Sequence, residues 1–317
     1  MRCVRGWRRA GSAPEARHPH VEHADRQTAM KPVVSGCRTL LGLARSIHPF
    51  PTGVVVLTTL GLALIAHRGF LPTGSLGRML GVVLCSQIVV GSLNDYRDRH
   101  TDAISQPTKP IPSGDVGARA VLVLCQLSLI SCFLLAATFG PLPLLLVVVG
   151  TMSGVAYDLW LKPTPFSIFG YLGGFLCLVS WVWLLAGHFT PTFLLVYPAG
   201  AFLLLSVHLA NGYPDLESDR ALGQRGLAVL LGAPRTRLAI VLSFNLVAIV
   251  GTAAVILQRS WLAEALLLVA WVLDISAVRI SGRAIADLQA RRHLFTLLAP
   301  ATALLSAACL LAISLAS

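Results

Sequence analysis

Nine apolar blocks dominate this chain, with approximate limits 51–66, 76–95, 117–138, 141–158, 166–186, 193–214, 236–257, 260–280 and 294–315. Each is close to the ~20 residues that a helix needs to cross a ~30 Å hydrocarbon core, the first and fourth being shortest. The apolar residues run in blocks rather than at the 3.6 or 2.0 period that marks half-buried elements. A mean hydropathy of +0.74, with 55% hydrophobic and 12% charged residues, excludes a water-soluble domain. The fold expected is an all-α integral membrane protein, nine transmembrane helices in one domain over residues 39–317.

Loop charges set the expected orientation. Of 25 Lys and Arg residues, all but Arg68, Arg78 and Arg259 fall in the N-terminal tail or at the loops after blocks two, four, six and eight. A basic excess of this kind marks the cytoplasmic side, so the N-terminus is expected in the cytoplasm and the C-terminus outside. The same rule explains the net charge of +11 and leaves no nucleic-acid partner to be inferred. Residues 1–38 read as a disordered basic cytoplasmic tail. Arg8-Arg9 has no apolar run behind it, so neither a secretory nor a twin-arginine signal is expected, and Met30 stands as an alternative start. A large excess of Arg over Lys points to a GC-rich bacterial genome and hence a bacterial cell membrane. The 7 cysteines form no C-x-x-C pair and lie mostly in apolar runs, as small buried hydrophobes rather than disulfides or zinc ligands.

Two polar stretches break this apolar pattern: Asn94-Asp95-Tyr96-Arg97-Asp98-Arg99-His100-Thr101-Asp102 and Asn211-Gly212-Tyr213-Pro214-Asp215-Leu216-Glu217-Ser218-Asp219. Both read Asn-x-x-x-Asp-x-x-x-Asp, and one interval separates every pair of matching members, hinting at an internal duplication. On a helix, residues four apart share a face, so each stretch is expected to project an amide and two carboxylates together. An Asp at mid-bilayer costs about 2.5–3.5 kcal/mol on insertion scales, and less but still something at a helix end. A single such end is ordinarily a solvated cap. Two of them, matched and on the same side, point to a shared site.

Like charges at this spacing repel unless a cation lies among them, which suggests a divalent metal and a phosphate-bearing ligand. Mg²⁺ suits the donors, since it takes one or two carboxylates, keeps waters and completes its octahedron with phosphate oxygens. Asp98, Asp102, Asp215 and Asp219 are the expected ligands, with Asp95 a ligand or the support of one. Asn94 and Asn211 would orient water or phosphate. Countercharge for the anion is expected from Lys109, from Arg225 beyond the second stretch, and from Lys162 behind Tyr157 and Asp158. Arg235 and Arg237 read as ordinary loop charges.

Asn94-Asp95-x-x-Asp98-x-x-x-Asp102 followed by Lys109-Pro110-Ile111-x-Ser113-Gly114 resembles the first signature of the UbiA superfamily of intramembrane prenyltransferases. Asp215-x-Glu217-Ser218-Asp219 with Arg225-Gly226-Leu227-Ala228-Val229 and Gly232 resembles the second. Ser218 stands where Gly is common and Gly226 where Thr is common. Tyr157 and Lys162 resemble a family Tyr/Lys element at a different spacing. The resemblance covers about residues 40–317. It implies a helical bundle around a central cavity, open sideways to lipid, that holds an isoprenyl diphosphate. Mg²⁺ and the basic residues would stabilise departing pyrophosphate. The allylic carbon, cation-like, would be attacked by an electron-rich acceptor in a cavity dry enough to exclude water.

The acceptor is weakly specified. His48, before Pro49 and three residues after Arg45, either binds an acceptor carboxylate when protonated or is a plain interfacial histidine. His208 and Tyr213 are equally open. Trp160, Trp181 and Trp183 line either the cavity or an interfacial belt, and Asp274 is either a structural polar contact or part of the cavity. The function expected is Mg²⁺-dependent transfer of an isoprenyl chain to a small aromatic acceptor, hydroxybenzoate- or naphthoate-like, in quinone or meroterpenoid biosynthesis. A membrane terpene cyclase is the alternative. An ion-coupled transporter is more remote, because transporter acids sit near the bilayer midplane on broken helices.

Overall fold

The computed structural model describes residues 36–69 and 71–316. The expected tail lies outside the described residues as far as residue 35, and its last three residues, Gly36–Arg38, already belong to a helix. The helices are α1 (Gly36–Ser46), α2 (Pro49–Ala66), α3 (Thr73–Ser105), α4 (Ala118–Ala137), α5 (Pro141–Ala156), α6 (Ile168–Leu185), α7 (Tyr197–Gly212), α8 (Leu216–Ala221), α9 (Leu227–Gln258), α10 (Trp261–Ser281) and α11 (Leu288–Ala316). No strand occurs among the described residues. Proline opens several of them: α2, α5 and α7 each carry one in the first turn, where its missing N–H would lack a helical partner anyway.

Among the described residues, 8 helices are long and apolar enough to cross a membrane. The sixth apolar block is the exception. It divides into a 3₁₀ turn, Pro191–Val196, and α7, which has only 16 residues. In α9 the backbone breaks at Gly232, whose φ of 72° suits a residue without Cβ, two positions before Pro234. Leu227–Leu231 is thereby a separate turn at the rim of the bundle.

α3 packs along α4, α5 along α6, α7 along α9 and α10 along α11, while α11 returns to α2 and α7 and closes the set. The α5–α6 contact is close because α6 offers glycine: a Cβ at Gly170 would lie 2.6 Å from Tyr157 Cβ, and one at Gly173 2.2 Å from Ser153 Oγ. Small residues allow such approach where lipid supplies no hydrophobic drive between helices. One apolar cluster gathers α7, α9, α10 and α11 around Phe244, Leu294 and Leu298. A second gathers α2, α3, α4 and α6 around Leu62, Met79, Val82 and Trp181. A cavity of about 600 Å³ opens inside the bundle, walled by α2, α3, α5, α6, α7 and α11. Outward-facing Leu127, Leu134, Leu242, Ile249 and Leu268 are exposed, forming an apolar surface suited to lipid.

Candidate active site

The first acidic stretch lies wholly on α3, which continues ten residues past its apolar block to Ser105. Asn94, Asp98 and Asp102 therefore share a face, and all three line the cavity. The second stretch does not repeat this geometry. α7 stops at Gly212, the backbone turns through Tyr213–Asp215, and α8 starts at Leu216. Pro214 is the cause, having no N–H to donate and a ring that clashes with the preceding turn. Asp215 caps α8, with its carbonyl accepting from the Asp219 N–H at 2.8 Å and from Ser218 Oγ at 2.8 Å. Asn211, Asp215 and Asp219 nonetheless reach the same cavity.

Lysines knit the rim together. Lys109 Nζ lies 2.8 Å from Asp102 Oδ2 and 3.3 Å from Asp95 Oδ1. Burial opposes its charge, but the Asp102 hydrogen bond and the charges of Asp95 and Asp102 outweigh it and hold the ammonium above its ordinary value. Lys162 pairs with Asp98. Burial opposes its charge too, and Asp98, Asp158 and Asp215 overcome that penalty, so this lysine feels acids from both stretches. Gln106 Nε2 reaches Asp215 Oδ1 at 3.5 Å, a long contact across the same gap. Burial, with some repulsion from Asp98, raises the Asp215 carboxyl. Burial and the neighbouring Asp215 charge push Asp219 up to about 6.

Several expected site residues are placed otherwise. Asp95 is absent from the cavity wall. It turns to Lys109 and to His48, whose Nε2 lies 3.0 Å away. Arg45 is also off the wall: it donates to Thr108 O at 2.7 Å and pairs with Asp115 at 3.0 Å, tying α1 to the loop that carries Lys109. Arg225 is exposed and outside the lining, and its backbone N–H donates to Pro163 O at 2.9 Å, which clips its loop to that of Lys162. His48 does line the cavity, in a left-handed conformation (φ 52°) just before Pro49. Tyr213 is structural, buried with its hydroxyl on Ala233 O at 3.0 Å. Trp160 is exposed, while Trp183 is core against Phe193. Asp274 is buried away from the cavity, 3.5 Å from Asn245.

The Tyr157–Lys162 spacing has a structural explanation. Tyr157–Leu161 is a π-helical turn, and Lys162 N–H donates to Tyr157 O at 2.9 Å, an i→i+5 bond. The wider turn absorbs one extra residue and leaves both side chains on the cavity side. It also aims Asp158 inward. Asn94 Nδ2 donates to Asp158 Oδ1 at 3.3 Å, while Oδ2 is buried with no partner. This acid carried only a weak sequence signal, a lone carboxylate at the end of an apolar block. Below it, Tyr171 OH accepts from Asn211 Nδ2 at 2.9 Å and its ring lies 5.4 Å from Tyr157 and 4.8 Å from His208.

A model of the UbiA prenyltransferase family matches residues 54–299. The chain belongs to the UbiA prenyltransferase family. Among curated relatives of this UbiA protein, the bacteriochlorophyll synthase 33 kDa chain of Cereibacter sphaeroides is 31% identical over 169 residues, 49% of this chain and 54% of its own. The digeranylgeranylglyceryl phosphate synthase of Korarchaeum cryptofilum is 34% identical over 167 residues, 50% of this chain and 58% of its own. The chain thus spans little more than half the length of these relatives. A UbiA homolog from Archaeoglobus fulgidus bound to GPP and Mg²⁺ has the same fold at 16% identity, with a TM-score of 0.58 over 86% of this chain and 99% of that one.

The donor set of this UbiA chain suits a hard cation. Asp98, Asp102, Asp158, Asp215, Asp219 and Asn94 offer only oxygen and amide groups, and Asp158 Oδ2 is an orphaned buried acceptor. Among the described residues, no group of three acidic, His or Cys side chains is tight enough to chelate an ion alone. Mg²⁺, which keeps several waters and shares phosphate oxygens, would suit donors of this kind.

Proposed function

We propose that this chain is an Mg²⁺-dependent intramembrane prenyltransferase that moves an isoprenyl group from its diphosphate to a small aromatic acceptor, its site facing the cytoplasm of a cell membrane. The observation that carries this function is the meeting of both acidic stretches, with Lys162 between them, on the rim of one apolar cavity. The basic loops on that side support the orientation, and the Tyr157, Tyr171 and His208 rings supply an apolar, edge-rich surface against which an aromatic ring can pack.

Asp98, Asp102, Asp215 and Asp219, with Asp158, would hold Mg²⁺, which screens the diphosphate charge and stabilises it as a leaving group. Lys109 and Lys162 exchange carboxylate partners for phosphate oxygens and stabilise the same charge. The bond from the allylic carbon to oxygen breaks, and its electron pair leaves with pyrophosphate. A ring carbon of the acceptor forms the new C–C bond and then passes its proton to the released pyrophosphate, which restores the aromatic ring. The apolar wall excludes water that would otherwise capture the carbocation. Asp95 and Arg45 act indirectly, by fixing Lys109 and its loop.

D98A and D215A should each abolish Mg²⁺-dependent pyrophosphate release from prenyl diphosphates offered with a panel of phenolic acids, while melting like the parent protein. Mass spectrometry of products identifies the acceptor, and a cyclic product formed with no acceptor would assign a cyclase instead. Undiminished turnover in both variants overturns the proposal.

A further inference from the structure

The far end of the cavity is closed by a pair of rings that the catalytic chemistry does not use. Trp181 of α6 lines the cavity and is 1% exposed. Its Nε1 is buried without a partner, whereas a buried indole N–H usually finds one, so the indole is held by packing alone. It stands edge-on to Phe139, with centroids 5.7 Å apart at 89°. Phe139 in turn lines a second cavity of about 290 Å³, with His67, Ser75 and Arg78, and the Arg78 guanidinium lies 5.0 Å from the Phe139 centroid. Trp181 and Phe139 together stand between a large, mostly apolar chamber and a smaller one whose lining mixes His67, Ser75 and Arg78 with Leu71, Met79 and Leu185.

The depth of that chamber follows from three helices. On α3 from Asp98 to Val82, on α6 from Ser167 to Trp181 and on α11 from Phe295 to Leu310, a rise of 1.5 Å per residue gives about 21–24 Å. An extended isoprene unit advances the chain by four bonds of about 1.5 Å, or roughly 5 Å after allowing for bond angles. The chamber therefore accommodates about four units between the acidic rim and the ring partition.

Building on the prenyltransferase function proposed above, we propose that Trp181, backed by Phe139, sets the prenyl length by stopping the tail at four isoprene units, a twenty-carbon diphosphate. A shorter tail leaves the deep wall of Leu62, Val82 and Leu310 without contacts. A longer one must displace the buried indole, behind which stand Phe139 and the Arg78 guanidinium.

The test uses the purified full chain with Mg²⁺ and non-ionising prenyl thiolodiphosphates of ten, fifteen, twenty, twenty-five and forty-five carbons. Dissociation constants should be smallest at twenty carbons, about tenfold larger at ten, and no smaller at forty-five. W181A should move the optimum to twenty-five carbons or beyond. W181F, which keeps an aromatic ring and most of the packing, should broaden the profile in the same direction even if W181A fails to fold. A parent profile that is flat with length, or the parent profile retained in folded W181F, overturns the assignment of Trp181. Failure of every length to bind the parent protein would instead remove the prenyltransferase function on which it rests.

Discussion

Removing Arg291 should disable the second acidic stretch without touching it. The side chain, on α11, is 4% exposed. Its guanidinium donates to the carbonyls of Ala284 at 2.7 Å, Ile285 at 2.8 Å and Tyr213 at 3.3 Å, and pairs through both terminal nitrogens with Glu217. It also lies 4.6 Å from the Tyr213 ring centroid. Tyr213 and Glu217 flank the break at Pro214, so one buried cation holds the bend that presents Asp215 and the helix that presents Asp219.

In R291A, the buried Ala284 carbonyl loses its donor, at about 1–3 kcal/mol, while the buried Tyr213 carbonyl keeps the Leu216 N–H at 3.4 Å. Ile285 is 39% exposed and can turn to water. The lost cation–π contact adds roughly 0.5–2 kcal/mol, for a total of about 1.5–5 kcal/mol, which overlaps the ~3–5 kcal/mol expected when a buried charged network is broken. The Glu217 side chain is 61% exposed, so E217Q should cost only about 0–1 kcal/mol. R291K keeps the charge but loses the fork and should fall between them. Melting in detergent and Mg²⁺-dependent pyrophosphate release read the two consequences. R291A should melt well below E217Q and lose about 10²-fold in rate, as expected for a shift near 1 Å in catalytic groups. An R291A protein that melts and turns over like E217Q would refute this role.

The remaining predictions concern the π-turn and the acid at the rim. Deleting Trp160, which is 66% exposed, converts the wide turn into an α-turn with Tyr157 and Lys162 still on one face. The deletion should keep rates within about tenfold of the parent, whereas K162A should lose about 10²-fold or more; equal damage in both folded proteins counts against the shared-face explanation. For Asp219, burial and the Asp215 charge raise the folded pKa to about 6 from 3.8. A raised acid lends its stability below the unfolded value and loses it as pH climbs through about 6. Mg²⁺ requires the ionised form, so its thermal stabilisation of the protein should be larger at about pH 7.5 than at about pH 5.5, with D219N flattening the difference. Equal Mg²⁺ stabilisation at both pH values would show that Asp219 is not a ligand.

What the sequence made legible was whatever the bilayer forces to be regular. Hydrocarbon offers no partner to a backbone amide, so eight of the nine apolar blocks became helices long enough to cross it, and the placing of Asn94, Asp98 and Asp102 on one face of α3 followed from the 3.6 period alone. The matching letters at Asn211, Asp215 and Asp219 suggested the same face. There the warning was Pro214, whose effect on the backbone outweighed the motif's spacing. Arg291 gave no local sign at all, since its partners at Tyr213 and Glu217 lie far away along the chain.

The misplaced and missed residues share one location. Pro214, Gly232, the π-turn at Tyr157–Leu161 and the left-handed His48 all lie at helix ends on the acidic rim. Freed backbone groups are tolerable there because water, lysines and acids can satisfy them, whereas a few turns deeper they would be stranded in hydrocarbon. On the proposed function, a site that grips a charged diphosphate while its tail lies in an apolar chamber has to be built at that boundary. Converging carboxylates from α3, the π-turn and α8 onto one point also demands backbone directions that straight helices do not supply. The irregularity that hides such a site from periodicity is therefore the same feature that lets the chain assemble it.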